Sequence, residues 1–252
     1  MKSVITVQQR KGGGTKTTTA ADLVLHLARA GHRVLAVDMD SARALSQRLG
    51  WLAYDVPERT TIDFLDGEPL EACVTACELI EGVDVLQAGP GLDAVSDQSV
   101  TALRDVLPTL DQYDVAVIDT PGDYGRGTAA AVAAADTIVV PVPAEGEAVL
   151  VLDDMEDFRD GVQRRLRRGK SAQTVWYVPT KIVAQQKLAR DLLTVLHERY
   201  DAQVTEPVRA AVAAQHAFVE RRPVGLHVTG EDTVAGDYAR ALAPIVAAVA
   251  AV

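Results

Sequence analysis

The sequence has little with which to build a metal or redox centre. It has two cysteines and five histidines among 252 residues. Cys73 and Cys77 stand four apart in "CVTAC", a spacing that on a helix puts both on one face and matches no paired zinc or redox signature. Two ordinary reduced thiols are the expectation. Aromatic residues make up only 4%, so alanine and valine must supply much of the core volume. Long hydrophobic runs are also missing. "MKSVITVQQR" lacks the extended apolar region of a secretory signal, and "ALAPIVAAVAAV" is too short to span a bilayer and contains Pro244. The first points to the cytoplasm, the second to a helix packed on the domain. A net charge of -10 argues against a surface that attracts polyanions everywhere. Positive charge is nevertheless concentrated: residues 163–190 hold eight Lys or Arg and no Asp or Glu, which suggests one local anionic partner.

What is present is a regular alternation. Short β-branched runs at 3–7, 33–38, 83–88, 114–119, 137–142 and 174–179 are apolar almost throughout, as expected of strands covered on both faces. Segments of helical periodicity lie between them, among them 17–30, 96–110, 147–166 and 184–199. The pattern predicts an α/β, doubly wound, mostly parallel sheet with helices on both faces in a single domain over 1–252. In such sheets the functional loops follow the carboxyl ends of strands. Here they are "QQRKGGGTKTT", "DMDSA", "DTPGD", "PAEGE" and "PTK".

The first loop has the composition of a phosphate cradle. Gly12, Gly13 and Gly14 free the backbone N–H groups, Lys16 suits the outer phosphates, and the Thr17 hydroxyl suits Mg²⁺, with Thr15 and Thr18 alongside. The strict G-x-x-x-x-G-K-[ST] pattern fails, because Arg10 and Thr15 occupy its two glycine positions. Asp38 and Asp40 close the second strand, where two carboxylates suit Mg²⁺ support and polarisation of an attacking water; alternatively, one of them caps the helix that begins near Ala42. Asp119 ends a buried strand as an acid that would hold Mg²⁺ through water or Thr17.

This set resembles the deviant P-loop of the ParA/MinD superfamily of ATPases, whose usual form is K-G-G-x-G-K-T-T. The resemblance runs through nearly the whole chain in strand order and is greatest to the small partitioning ATPases that lack an N-terminal DNA-binding domain. It implies ATP and Mg²⁺ as ligands, with Lys11 reaching across an ATP-sandwiched homodimer to the partner's phosphates. It implies Asp40 as the residue that orients the hydrolytic water, and Thr120, Pro121 and Gly122 as a switch that responds to the γ-phosphate. Adenine would be enclosed near Thr180, Lys181 and Pro207. Non-specific DNA binding would fall to basic residues late in the chain, here Lys187, Arg190, Arg209, Arg221 and Arg222, with "QRRLRRGK" either a further contact or a solvated helix end. A ParB-type partner would stimulate hydrolysis, and the protein would be cytoplasmic and nucleoid-associated.

Two departures stand out. Ser41 and Ala42 replace the usual Pro-Gln after Asp40, and Thr15 replaces a glycine. If the φ angle at position 15 is positive, a β-branched residue there is costly; if it is negative, threonine is merely bulkier. Membrane anchoring as in MinD is disfavoured, because the last helix lacks a basic amphipathic face. A metal-cluster reductase is disfavoured by the placement of the cysteines. A metabolic ATP-dependent synthetase or amidoligase, a positioning ATPase for a non-DNA cargo and a nucleotide-binding scaffold without hydrolysis are the alternatives.

Overall fold

A computed structural model describes residues 1, 3–10, 13, 15–92, 99–145, 150–166 and 173–250. Seven strands form one sheet: β1 (Ser3–Val7), β2 (Val34–Asp38), β3 (Val74–Ala76), β4 (Val83–Leu86), β5 (Val115–Asp119), β6 (Thr137–Pro143) and β7 (Thr174–Thr180). Their spatial order is β3-β4-β2-β5-β1-β6-β7. All neighbours are parallel except the short edge strand β3, which runs antiparallel to β4.

Every residue of β1, β2 and β5 is buried, because helices cover both faces. Alternation along the strands divides the core in two. Ile5, Val34, Ala36, Val115 and Val117 pack with Leu23, Leu27, Ala241 and Leu242, on the side of α1 (Lys16–Arg29) and α11 (Val234–Ala250). Val4, Leu35, Val37, Ala116 and Ile118 face the other way, against Leu103 of α5 (Ala102–Val106) and Ala130, Ala131 and Ala134 of α6 (Arg126–Ala134). A third cluster joins β6 and β7 to α7 (Leu150–Leu166) and α8 (Lys187–Tyr200). The many buried alanines compensate for the scarcity of aromatics by letting helix and sheet backbones approach closely.

The shorter helices are α2 (Ala44–Arg48), α3 (Thr61–Leu65), α4 (Leu70–Cys73), α9 (Val212–Val219) and α10 (Val224–His227). Two expectations are revised. The stretch predicted as a helix over 96–110 breaks, in its described part, into a 3₁₀ turn at Ser99–Thr101, the short α5 and a second 3₁₀ turn at Leu107–Thr109, where Pro108 cannot continue the α-helical ladder. The cysteines do not share a helix face either. Cys73 ends α4, and β-branched Val74 and Thr75 then carry the chain into β3, so Cys77 lies beyond a strand. Both thiols are free and buried. The C-terminal run forms α11 as expected, Pro244 included, and is packed on α1. Among the described residues no helix is long and apolar enough to cross a membrane.

An acid inside the core ties the C-terminal part to α1. Asp22 of α1 is completely buried and accepts the backbone N–H groups of Val224 (3.0 Å) and Gly225 (2.8 Å), the first turn of α10. Burial pushes its carboxyl up from 3.8 to about 6, against the pull of those donors and of Arg48 and Arg29. The folded protein therefore keeps this proton to higher pH than the unfolded chain. The associated stability is fully present below about pH 4 and is lost as the pH rises through about 6. In urea unfolding from pH 4 to 7, Asp22→Asn should lower stability overall and flatten its decline with pH; a decline as steep as that of the unaltered protein would contradict the assignment.

Candidate functional site

The carboxyl ends of β1, β2, β5 and β7 open on a cleft of about 1000 Å³. Its floor is the loop after β1 and the start of α1, with Gly13, Thr15, Lys16, Thr17 and Thr18 all in its wall. Asp40, Gly122 and Lys181 enter from the other strand ends, and residues Val208–Val212 close the far side. Four of the five loops selected by the strand-end rule reach the cleft; in "PAEGE", Pro143, Ala144 and Glu145 do not line it, and residues 146 and 147 lie outside the described residues. Lys11, Gly12 and Gly14 lie outside the described residues.

Gly13 has φ 76 with open space where a Cβ would stand, which fits a turn that presents backbone to a ligand. Thr15 settles the question of position 15: it caps α1 at φ 64, ψ 8, in the left-handed region. For a β-branched residue this conformation costs about 1–3 kcal/mol, which the surrounding contacts must offset. One such contact links the Thr15 and Thr180 hydroxyls at 2.8 Å. Threonine here adopts a backbone conformation that favours glycine.

Register places Asp38 directly beside Asp119 at the ends of neighbouring strands. Both side chains are fully buried, yet they are used differently. Asp38 is consumed by its own chain: its Oδ2 accepts the Ser46 backbone N–H (2.8 Å) and hydroxyl (2.7 Å), and its Oδ1 accepts the Asp40 N–H (3.1 Å). It anchors α2 and the Asp40 loop, so toward a metal it would give support and not direct ligation. Asp119 has one oxygen committed, its Oδ2 accepting the Thr17 hydroxyl at 2.7 Å, while its Oδ1 is buried without a partner. Burial first, and then the neighbouring Asp38, push the Asp119 carboxyl up to about 8. A buried carboxylate with an orphaned oxygen beside a threonine hydroxyl at a phosphate loop is the environment a bound divalent cation would complete, so the residues fit Mg²⁺.

Asp40 is partly exposed on the cleft, and its Oδ1 accepts the Ala42 N–H at 2.9 Å. That bond closes a turn over residues 40–42 and does not cap α2, whose N-cap Arg43 has no side-chain cap bond, and Asp40 still faces the cleft. The helix begins two residues later than Ala42, because Arg43 adopts φ 56 at the start of α2. The Thr120 hydroxyl donates to the Val7 carbonyl at 2.9 Å, tying the segment after Asp119 to the start of the phosphate loop. Thr180 is buried, and Lys181, at φ 54, pairs with Glu145 at 2.7 Å. Pro207 does not line the cleft; the wall begins with Val208.

The basic candidates are dispersed. Lys187 and Arg190 are exposed at the start of α8; Lys187 is 3.6 Å from Asp191, and Arg190 donates to the Ala184 and Gln185 carbonyls. Arg209 is held by Asp237 (2.6 Å) and Asp232 (2.9 Å) in the cleft wall, which makes it a brace for the Val208–Val212 wall. Arg221, at φ 53, and Arg222, 3.6 Å from Glu220, follow α9. Of the 163–170 cluster, Arg164 and Arg165 belong to the last turn of α7, and residues 167–170 lie outside the described residues.

Sequence reasoning missed three contributors. Ser46 orients Asp38. Arg48 is buried in the cleft wall with its guanidinium 5.0 Å from the centre of the Phe218 ring. Arg10 spans the phosphate loop, α7 and the segment after β5: it pairs with Asp154 at 2.5 Å and lies 5.1 Å from the Tyr124 ring, which stacks on Phe158. Ser46 and Arg48 stand two apart on α2 and so share no helix face that could have signalled them, and Arg10 gave no signal either.

Fold and site together define a P-loop nucleotide-binding α/β protein with a deviant phosphate loop. Residues 2–169 match the family described as AAA domain. The chain is 38% identical over 170 residues to the chromosome-partitioning ATPase Soj of Thermus thermophilus, a match covering 65% of each protein, so it spans a little under two thirds of that relative's length. Among solved structures, cobyrinic acid a,c-diamide synthase from Mycobacterium smegmatis with bound ADP and magnesium is similar at 27% identity and TM-score 0.73, covering 88% of this chain and 91% of that one. The septum site-determining protein MinD of Pyrococcus horikoshii, complexed with Mg-ADP, shares the fold at 19% identity and TM-score 0.77, covering 97% and 96%. The chain belongs to the AAA domain family and, within it, to the ParA/MinD superfamily of ATPases.

Ser46→Ala removes one of the three donors to a buried carboxylate and should cost about 1–3 kcal/mol. Equilibrium urea unfolding measures this; a loss below about 0.5 kcal/mol would show that the hydroxyl does not support Asp38.

Proposed function

We propose that this chain is an ATP-driven partition switch formed by one domain over residues 1–252. ATP would enter the cleft with its phosphates on the loop that ends at Thr15 and Lys16. Mg²⁺, held by Thr17 and through water by Asp119, would neutralise phosphate charge there. Lys16 would stabilise charge on the outer phosphates, and Asp40 would orient the attacking water. Lys11 would reach across to the partner's nucleotide in a homodimer, and Thr120, Pro121 and Gly122 would transmit the state of the γ-phosphate. The dimer would hold DNA without reading sequence, through Lys187, Arg190, Arg221 and Arg222, until a ParB-type partner triggers hydrolysis. Such a protein would reside on the nucleoid in the cytoplasm.

The observation that carries this reading is that Thr17 and Asp40 line one cleft, with Thr17 bonded behind it to the buried Asp119, whose other oxygen has no partner. Kinship to the Soj ATPase supports the partitioning role. A second reading, a metabolic enzyme that uses ATP to activate a carboxylate for amidation, draws on the likeness to the diamide synthase. It is less favoured because the wall beyond the phosphate loop, from Val208 to Val219, offers mostly apolar side chains to a polar substrate.

DNA binding measured without nucleotide, with ADP-Mg²⁺ and with ATP-Mg²⁺, on two unrelated duplexes across a salt series, separates the readings. The switch predicts binding that needs ATP, ignores sequence and weakens by about 10³-fold or more between 50 and 200 mM salt if six or more phosphates are engaged. Asp40→Ala should slow hydrolysis about 10²–10⁴-fold while ATP-dependent DNA binding persists. ATP binding without any DNA binding would refute the partition switch and favour the metabolic reading.

A further inference from the structure

The threonine that replaces the last loop glycine makes a contact no glycine could make. Its hydroxyl lies 2.8 Å from that of Thr180, the fully buried last residue of β7. The Thr180 carbonyl accepts the Ala144 N–H (2.9 Å), which fixes this strand end against the end of β6. The backbone just beyond is stitched to the far wall of the cleft: Val208 N–H donates to Pro179 O (2.8 Å), Ile182 N–H to Val208 O (3.0 Å), and Ala210 N–H to Ile182 O (3.0 Å). Through one side chain, the phosphate end of the cleft is joined to the Val208–Val212 wall more than 190 residues away in sequence.

We propose that Thr15 is a positioning residue whose hydroxyl contact with Thr180 sets the phosphate loop relative to the Val208–Val212 wall before a nucleoside triphosphate enters. This rests on the reading of the cleft as a nucleotide site. A ligand that spans both ends gains from having them fixed in advance, since the ordering has already occurred. A ligand confined to the loop gains little. The left-handed conformation at position 15 is accessible to glycine at no steric cost, so retention of threonine there fits a use for its side chain.

A double-mutant cycle on the full chain tests this, using Thr15→Gly, Thr180→Val and the double variant, with calorimetric affinities for ATP and for tripolyphosphate, both with Mg²⁺. Thr180→Val should weaken ATP binding about five-fold when Thr15 is present and less than about two-fold in the Thr15→Gly background. Tripolyphosphate affinity should change less than about two-fold throughout, and Thr15→Ser should preserve the coupling for ATP. An equal loss in both backgrounds would overturn the proposal, as would an equal loss for tripolyphosphate, which would reduce the contact to local support of the loop. If the unaltered protein binds neither ligand, the nucleotide reading itself fails and the proposal with it. In that case a urea-unfolding cycle on the same variants still reports whether the hydroxyl contact exists.

Discussion

The rest of the site depends on two carboxylates lying side by side at the ends of adjacent buried strands. Asp38 and Asp119 are register partners, and both are completely removed from water. Burial raises both carboxyls, Asp38 to about 6 and Asp119 to about 8, and the neighbouring Asp38 adds to the rise at Asp119. The fold resolves the conflict asymmetrically. Asp38 receives three donors from the segment that follows it and becomes part of the scaffold. Asp119 receives one, from Thr17, and its other oxygen is buried without a partner. The difference between the two acids is a difference in the number of donors, three for Asp38 and one for Asp119.

Around this pair the loops are arranged by strained but well-supported turns. Thr15, Arg43 and Lys181 all adopt positive φ without being glycine, and all three lie at strand ends or helix starts around the cleft. Each is held by its side chain: Thr15 by Thr180, Lys181 by Glu145, and Arg43 by the carbonyls of Leu52, Ala53 and Asp55 together with Gln87. Positive-φ residues of this kind persist only where neighbours over-determine them, and they concentrate at ligand sites. The backbone around this cleft is therefore fixed by specific side-chain contacts where a glycine would rely on its own conformational freedom.

Much of this was legible in the sequence. Apolar strands without alternation identified a sheet covered on both sides, and the residues just past β1, β2, β5 and β7 located the cleft. Asp119, Thr17 and Asp40 stood out by their chemistry and their place at or just past strands, and the structure puts Thr17 against Asp119 and Asp40 on the cleft. Other features depended on tertiary partners that no local pattern displays. The φ of Thr15 could not be read from its neighbours, and Arg209 looked like a free cation until Asp237 and Asp232 were seen to hold it. The cysteine spacing suggested a helix face, but pairing of β3 with β4 overrode it. Arg10 illustrates the same limit, since Asp154 and Tyr124 are distant in sequence.

The central claim is that Asp119 and Thr17 await a cation that arrives with a nucleotide. It is tested most directly by calorimetric titration of the nucleotide-free protein with ATP, once with Mg²⁺ and once with a chelator. The account predicts one site per chain and an affinity at least about tenfold higher with Mg²⁺, because only then is the buried carboxylate pair neutralised alongside the phosphates. No binding, or the same affinity with and without Mg²⁺, would contradict it.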